Sequence, residues 1–344
     1  SLLILLFILS LGCVLRLYKL DSESLFGDEI LQVIYSHYRV RPNHAISDVI
    51  MNASLQNQAP LDYIFLHCFT KYFGDSDFLV RIPAAIYGTL TILVIYELAR
   101  LLFGVKEGLI SAFLLSISLF HIQFSQETRP YALITLLVPI VIYFFYRAIK
   151  EDKLIYWILL VITTFLALYA HTFTLLIVFT EVLLVVSIFL LNKFYKNETL
   201  SIVSSKKMWK VIFYAVFVTL VYIPQLRLLF NPYGLYYLKS HNLPIFTRLL
   251  SAIKQIPLDS FWQIYVIFGS ALPFVYCDFP AISKLAGINW QTFRLLPYVY
   301  LLFSIFGLAV LFKEKKYFCF LWFFFFLIVL PFIELSMLKF EGIE

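Results

Sequence analysis

Two acidic residues, Asp28 and Glu29, stand side by side in a polar stretch that follows the first apolar segment of the chain. Adjacent carboxylates are suited to act as a general base or as ligands of a divalent metal ion. Asp28 also directly precedes residues 30–41, in which apolar residues recur at helical spacing. A carboxylate in that position also caps a helix by accepting its free backbone N–H groups. The two interpretations are compatible, and both remain open for Asp28.

A second polar group of residues lies in the connector 125–130, between two apolar segments. Pro130 suits the first turn of a helix, so Glu127 and Arg129 fall in the tight turn before it. An ion pair at a surface is worth little alone. This turn is, however, dense in hydrogen-bond donors and acceptors and is expected on the same side as Asp28. We therefore take Glu127 as a candidate catalytic residue, and Arg129 and Tyr131 as candidate substrate-binding residues.

Other ionisable side chains lie at or inside apolar segments. Arg81, near the start of the segment 78–103, either extends to the membrane surface or takes part in the site. His171, in a turn, is either a structural histidine or a cavity residue. Glu181 lies in mid-segment, where a charge costs roughly 3 kcal/mol, and is expected to pair, protonate or pack inside a bundle. We select Arg81 and His171 as further candidate substrate-binding residues.

The composition limits which kind of scaffold can carry these residues. The chain is 62% hydrophobic and 14% charged, whereas soluble domains are about half apolar and a quarter charged. Its apolar runs are continuous, which excludes a membrane β-barrel. The net charge of +6 is explained by basic residues at membrane boundaries, so nucleic acid is not expected as a partner. The composition therefore predicts an integral membrane protein made of helices.

About nine segments are long and apolar enough to span a bilayer, which takes roughly 20 residues each. The chain begins inside the first of them without a cationic leader or a cleavage site, so we expect that helix to be retained. Segments 60–73 and 261–276 are shorter, and we expect neither to cross. The predicted spans are approximately 1–17, 78–103, 107–124, 131–149, 154–170, 173–192, 211–230, 295–312 and 317–338.

Four short connectors between predicted spans are basic and predict which side of the membrane each loop occupies. They lie at 100–106, 147–153, 192–210 and 313–316. They should all be cytoplasmic by the positive-inside rule. The stretches 18–77 and 231–294 then lie outside, and the first of them carries interfacial helices. We divide the chain into a transmembrane catalytic part at 1–230, an outer loop at 231–294 with an interfacial or re-entrant helix, and C-terminal spans at 295–344. Asp28 and Glu127 share the extracytoplasmic face in this arrangement.

Five sequence features in this order resemble those of a known family. After the first span come Asp28-Glu29, Ala59-Pro60-Leu61, Phe73-Gly74, Arg81-Ile82-Pro83, and Ser125 to Tyr131. The chain resembles the GT-C superfamily of integral-membrane glycosyltransferases. It is most similar to glycosyltransferase family 39, the group of dolichyl-phosphate-mannose protein mannosyltransferases and aminoarabinose transferases. The resemblance covers about residues 1–180.

The resemblance implies an all-α, polytopic bundle of GT-C type that transfers a sugar from a polyprenyl-phosphate donor on the extracytoplasmic face of the plasma membrane. It implies that Asp28 is the catalytic carboxylate, that Glu29 completes the acidic pair, and that Glu127 and Arg129 face the same cavity. The acceptor is a glycan, a lipid or a protein. The family's aminoarabinose transferases carry Lys before the loop proline, whereas Ala59 precedes Pro60 here.

The expected chemistry needs few groups, because a lipid phosphate leaves without a general acid. Asp28 would act as the base, with Arg129 and Arg81 holding the phosphate. In-line attack would invert the anomeric centre. A divalent metal ion held by Glu29 or Glu127 is a further option. Two alternatives remain open: a transporter or flippase for a lipid-linked or polar solute, and a non-catalytic scaffold.

Overall fold

The computed structural model describes residues 2–36, 45–55, 58–171, 174–195, 203–229, 306–314, 316, 319–321 and 323. These residues contain helices and no β-strand. In chain order the helices are α1 (Leu2–Leu17), α2 (Gly27–Ser36), α3 (Ile46–Leu55), α4 (Leu61–Phe73), α5 (Asp77–Leu102), α6 (Val105–Ser116), α7 (Leu119–Phe124), α8 (Tyr131–Glu151), α9 (Leu154–Ala170), α10 (Thr174–Tyr195) and α11 (Ser205–Leu229). The predicted all-helical class is therefore confirmed for this part of the chain.

The chain forms two compact units, and the candidate site lies in the first. That unit comprises Ser1–Phe179 and Ser205–Leu229, and the second comprises Thr180–Ser204 and Phe230–Glu344. In the second unit the structure describes the remainder of α10 and a helical stretch at 306–313. The predicted outer loop 231–294 lies outside the described residues, as do most residues of the last two predicted spans.

Helix α5 is the centre of the first unit and packs against α1, α6 and α8. Leu5, Ile8, Ile92, Tyr96 and Ala112 form one buried cluster that joins α1, α5 and α6. Two described helices, α5 and α8, are long and apolar enough to cross a membrane, while α1 and α9 are apolar but shorter. Large apolar side chains along α5 remain exposed at Ile86, Leu90 and Leu93, one helical face. A face of that kind suits contact with lipid.

Six of the nine predicted spans each correspond to one helix of the structure, a seventh covers two helices, and the total of nine stays a prediction. The predicted span 107–124 is wrong as a single helix, because residues 117 and 118 are not helical and separate α6 from α7. The Arg16 guanidinium donates to the carbonyl oxygens of Leu115 and Ser116 at 3.3 Å and 3.2 Å. These contacts satisfy carbonyl groups that the end of α6 leaves free.

Helices α2, α3 and α4 lie together at one end of the bundle, where they connect α1 to α5. Each has 10 or 13 residues, too few to span a hydrocarbon core of about 30 Å. Arg81, in the second turn of α5, donates to the carbonyl oxygens of Leu20 and Glu23, which follow α1. The segment 18–76 therefore begins and ends at the same end of the bundle. The short length of α4 agrees with the prediction that residues 60–73 do not cross the membrane, which stays a prediction.

Candidate active site

The Glu29 carboxylate joins three separate segments of the chain. Its oxygens accept from Arg81 Nε at 2.9 Å and Arg81 Nη2 at 2.7 Å, a two-point contact between α2 and α5. Its Oε1 also accepts the backbone N–H of Thr128 at 2.9 Å, in the connector before α8. Its Oε2 accepts the backbone N–H of Phe26 at 3.3 Å, one half of a capping box at the start of α2. Glu29 is fully buried.

Arg81 uses all of its N–H groups inside the protein. Besides the two bonds to Glu29, its Nη1 and Nη2 donate to backbone carbonyl oxygens of the loop after α1, which belong to Leu20, Glu23 and Ser24. A guanidinium has five N–H donors, and five hydrogen bonds are formed. The interpretation of Arg81 as a side chain that extends to the membrane surface is wrong, since its side chain is 7% exposed.

Asp28 differs from its neighbour Glu29 in exposure and in partner. Its carboxylate is 57% exposed and lies 3.2 Å from Arg129 Nη2. Arg129 Nη1 also donates to the Asp28 carbonyl oxygen at 3.4 Å. The helix begins at Gly27, so Asp28 lies within its first turn. The interpretation of Asp28 as the N-cap is therefore wrong. The side chain that accepts a backbone hydrogen bond at this helix start is that of Glu29, from the N–H of Phe26.

The Arg129 guanidinium contacts an aromatic ring, that of Tyr131. Its central carbon lies 5.4 Å from the centre of the Tyr131 ring, close enough for a cation–π contact. The Tyr131 ring lies 6.2 Å from the imidazole of His171. Burial, together with the charge of Arg129, lowers the pKa of His171, so this ring stays neutral at neutral pH. The structure thus brings Asp28, Arg129, Tyr131 and His171 together.

Glu127 lies beside this group in the turn before α8. Its Oε1 accepts from the amide nitrogen of Gln123 at 3.1 Å. Burial raises the pKa of Glu127, and the negative charge of Glu29 acts in the same direction. Arg129 and Arg81 lower it. Glu127 is therefore a partly buried carboxyl group close to the Asp28–Arg129 pair.

No group of three or more His, Cys, Asp and Glu side chains that could hold a metal ion occurs among the described residues. Both oxygens of Glu29 already accept hydrogen bonds, and the Arg81 guanidinium balances its charge. Glu29 therefore does not fit the ligand role that we predicted for it. Glu127 is not part of any such group, so it would contribute a single protein ligand. Metal dependence stays a prediction.

The comparison with known families agrees with the resemblance found in the sequence. Residues 57–227 match the model of the dolichyl-phosphate-mannose-protein mannosyltransferase family. This part of the chain belongs to that family. The protein is accordingly a membrane glycosyltransferase of mannosyltransferase-like type. A search of the curated proteins found no significant match.

The match to the mannosyltransferase family covers one side of the candidate site. It begins just before α4 and ends within α11, so it includes Arg81, Glu127, Arg129 and His171. Asp28 and Glu29 precede it. The contacts of Glu29 with Arg81 and Thr128 join α2 directly to the matched part. The acidic pair is therefore held against the family region by buried hydrogen bonds.

Two polar residues near the site were not selected from the sequence. Asp62, in the second position of α4, accepts from the amide nitrogen of Gln32 at 2.8 Å. Burial raises the pKa of Asp62 to about 7, against the opposing charge of Arg129. The one available signal was an Asp directly after Ala59-Pro60-Leu61 in a short apolar segment. A single polar residue in such a segment does not reveal its partner.

Proposed function

We propose that the protein transfers a sugar from a polyprenyl-phosphate-linked donor to an acceptor on the extracytoplasmic face of the plasma membrane. The Asp28–Arg129 pair is the observation that supports this most strongly. The exposed carboxylate of Asp28 lies 3.2 Å from the guanidinium of Arg129. A carboxylate can act as a base, and a guanidinium can bind a phosphate group. A base and a phosphate-binding group are what the reaction requires.

In the proposed reaction an acceptor hydroxyl gives its proton to the Asp28 carboxylate. The hydroxyl oxygen then forms a bond to the anomeric carbon of the donor sugar. The bond from that carbon to the phosphate oxygen breaks, and its electron pair leaves with the polyprenyl phosphate. Arg129 balances the charge of the departing phosphate. Attack from the face opposite the phosphate inverts the anomeric centre.

The other residues of the site support this pair in different ways. Glu29 and Arg81 act as positioning residues, because all of their polar groups are engaged within the protein. Tyr131 holds the guanidinium of Arg129 on its ring face. Neutral His171, next to Tyr131, is suited to a hydrogen bond with a sugar hydroxyl. Glu127 stands near as a second carboxyl group for binding the acceptor.

A divalent metal ion is not needed for this scheme. Asp28 is paired with Arg129, Glu29 with Arg81, and Glu127 accepts from Gln123. Among the residues that the structure describes, these contacts leave no ready-made cluster of oxygen ligands, so we route no step through a metal ion. Transfer in the presence of a chelator tests this point directly, and we expect it to continue at an unchanged rate.

A transfer assay distinguishes the three candidate functions. Purified protein in detergent receives radiolabelled polyprenyl-phosphate mannose and a membrane extract as the acceptor mixture. A transferase releases polyprenyl phosphate and labels an acceptor with inverted anomeric configuration. A flippase moves the donor across a vesicle bilayer without consuming it, and a scaffold does neither. Failure to release polyprenyl phosphate from mannosyl, glucosyl and galactosyl donors would overturn the proposed function.

A further inference from the structure

Two buried polar atoms, one in Arg129 and one in Gln32, a helical turn after Asp28 in α2, have no hydrogen-bond partner in the described part of the chain. They are the Nε atom of Arg129 and the Oε1 atom of Gln32. The first is a donor and the second an acceptor. Leaving a buried polar atom without a partner destabilises the folded protein, so native proteins rarely contain one without a use.

Gln32 is held in place by its other amide atom. Its Nε2 donates to Asp62 Oδ2 at 2.8 Å, which links α2 to α4. Gln32 is fully buried, and Asp62 is 6% exposed. Val33 directly follows Gln32 in α2, and Leu66 lies one turn after Asp62 in α4. These two side chains pack together in a buried cluster. The Gln32 amide therefore cannot turn freely, and the direction of its free oxygen is fixed by the fold.

Asp62 lies within electrostatic range of the Arg129 guanidinium. The charge of Arg129 acts on Asp62 and also on its neighbour Tyr63. Burial raises the pKa of Asp62 to about 7, so a large fraction of this carboxyl carries a proton at neutral pH. A protonated carboxyl donates one hydrogen bond and still accepts from the Gln32 amide. Gln32 and Asp62 thus offer an acceptor and a donor next to an arginine.

A sugar phosphate satisfies all of these atoms at once. Its phosphate oxygens accept from Arg129 Nε, and a ring hydroxyl donates to the Gln32 oxygen while accepting from the Asp62 carboxyl. We propose that Gln32 and Asp62 form the subsite that binds a hydroxyl group of the donor sugar and thereby select the donor. This inference rests on the proposed function and adds the residues that recognise the sugar. The alternative is that the Gln32–Asp62 contact only joins α2 to α4.

Donors that lack single hydroxyl groups distinguish the subsite from a structural contact. The wild-type protein and the Gln32→Met variant are assayed with the most active of the mannosyl, glucosyl and galactosyl polyprenyl phosphates and with its four mono-deoxy analogues. For one analogue we expect kcat/KM of the wild type to fall about 5- to 150-fold, the equivalent of one lost hydrogen bond with its buried acceptor left unpaired. Gln32→Met should show nearly equal kcat/KM for that analogue and for the full donor.

Two further variants separate recognition from stability. Asp62→Asn keeps a hydrogen bond to Gln32 but loses the acid proton, so it should raise KM for the full donor more than it lowers kcat. Ser36→Ala, one turn further along α2, removes a buried hydroxyl that donates to the Gln32 carbonyl oxygen. This control should discriminate against the analogue as the wild type does, whatever its thermal stability.

Each result decides for or against a specific claim. If Gln32→Met discriminates against the same analogue as strongly as the wild type, the subsite is overturned while the proposed function stands. A Gln32→Met variant that loses thermal stability with an unchanged deoxy-donor profile would likewise assign the contact a structural role. If the wild type turns over none of the three donors, the proposed function fails and this inference fails with it.

Discussion

Glu29 and Arg81, 52 residues apart in the chain, form a buried two-point ion pair with N–O distances of 2.9 Å and 2.7 Å. The pair joins the start of α2 to the start of α5, and the Thr128 N–H extends it to the turn before α8. Asp28 lies in α2 and Arg129 lies in the turn before α8, while α5 contributes Arg81, which binds Glu29. The geometry of the reactive pair therefore depends on Glu29.

Removal of the Glu29 charge should destabilise the protein strongly. Glu29→Gln leaves the Arg81 guanidinium buried without a counter-charge, and breaking a buried pair in this way costs about 3–5 kcal/mol. The free energy of unfolding in detergent, measured by denaturant titration, checks this value. Glu97→Gln is the matched control, because it breaks the exposed pair with Arg100 and should cost at most about 1 kcal/mol. Equal losses in the two variants would contradict the account.

Gly88→Ala should disturb the connector that carries Glu127 and Arg129. A Cβ atom at this position of α5 would lie 2.0 Å from Ser125 Oγ and 2.5 Å from Ser125 Cβ. Overpacking of this kind costs about 1–3 kcal/mol, and here it also pushes the turn before α8 away from α5. We expect a lower melting temperature and lower transfer activity. Gly27→Ala is the control, since nothing lies within 4 Å of its added Cβ.

The raised pKa of Asp62 should make stability depend on pH. The folded state holds the Asp62 proton up to a pKa of about 7, whereas the unfolded chain releases it near 3.8. The folded state therefore binds more protons in this window, and the free energy of unfolding falls as pH rises from about 4 to 7. The fall attributable to Asp62 is on the order of 4 kcal/mol.

Comparison of unfolding curves at several pH values isolates that contribution. Asp62→Asn cannot release a proton, so its difference in stability from the wild type should grow in favour of the variant between pH 4 and pH 7. A constant difference across this range would show that Asp62 ionises normally in the folded protein.

The sidedness of the site can be tested with two cysteine variants. Ser22 is exposed in the loop after α1, at the end of the bundle that carries Asp28, whereas exposed Ser205 begins α11. At that opposite end Lys210 pairs with Asp152, just beyond α8. In a cysteine-free background, an impermeant thiol reagent should label the Ser22→Cys variant in intact cells and the Ser205→Cys variant only after permeabilisation. The reverse pattern would place the site in the cytoplasm.

The sequence predicted which polar residues lie close together more accurately than it predicted their partners. Asp28, Glu127, Arg129 and Tyr131 were selected from polar residues at the ends of apolar segments, a pattern that depends on local order. The ends of these segments lie close together in the structure because α5 packs against both α1 and α8. The expectation that they share one face rests on the positive-inside rule and on the family resemblance.

Roles that depend on distant partners were harder to predict. The sequence predicts a catalytic or metal-binding role for Glu29 and substrate binding for Arg81. Only the contact between them, across 52 residues, shows that the two side chains bind each other. Arg16 was not selected, yet it donates to His121 Nδ1 at 2.8 Å and supports the break after α6. A buried arginine at the end of an apolar segment has the same sequence signal as one that reaches the membrane surface.

The transfer rate of Asp28→Asn tests the central claim most directly. The substitution keeps the size of the side chain and an oxygen that can accept from Arg129, but it removes the base. Loss of a positioned base lowers kcat by about 10²- to 10⁴-fold, while the loss of one charge near the α2 N-terminus should cost at most about 1 kcal/mol. Asp48→Asn, in the first turn of α3, is the matched control and should transfer at the wild-type rate. A folded Asp28→Asn variant that transfers sugar as fast as the wild type would contradict the assignment of Asp28 as the base.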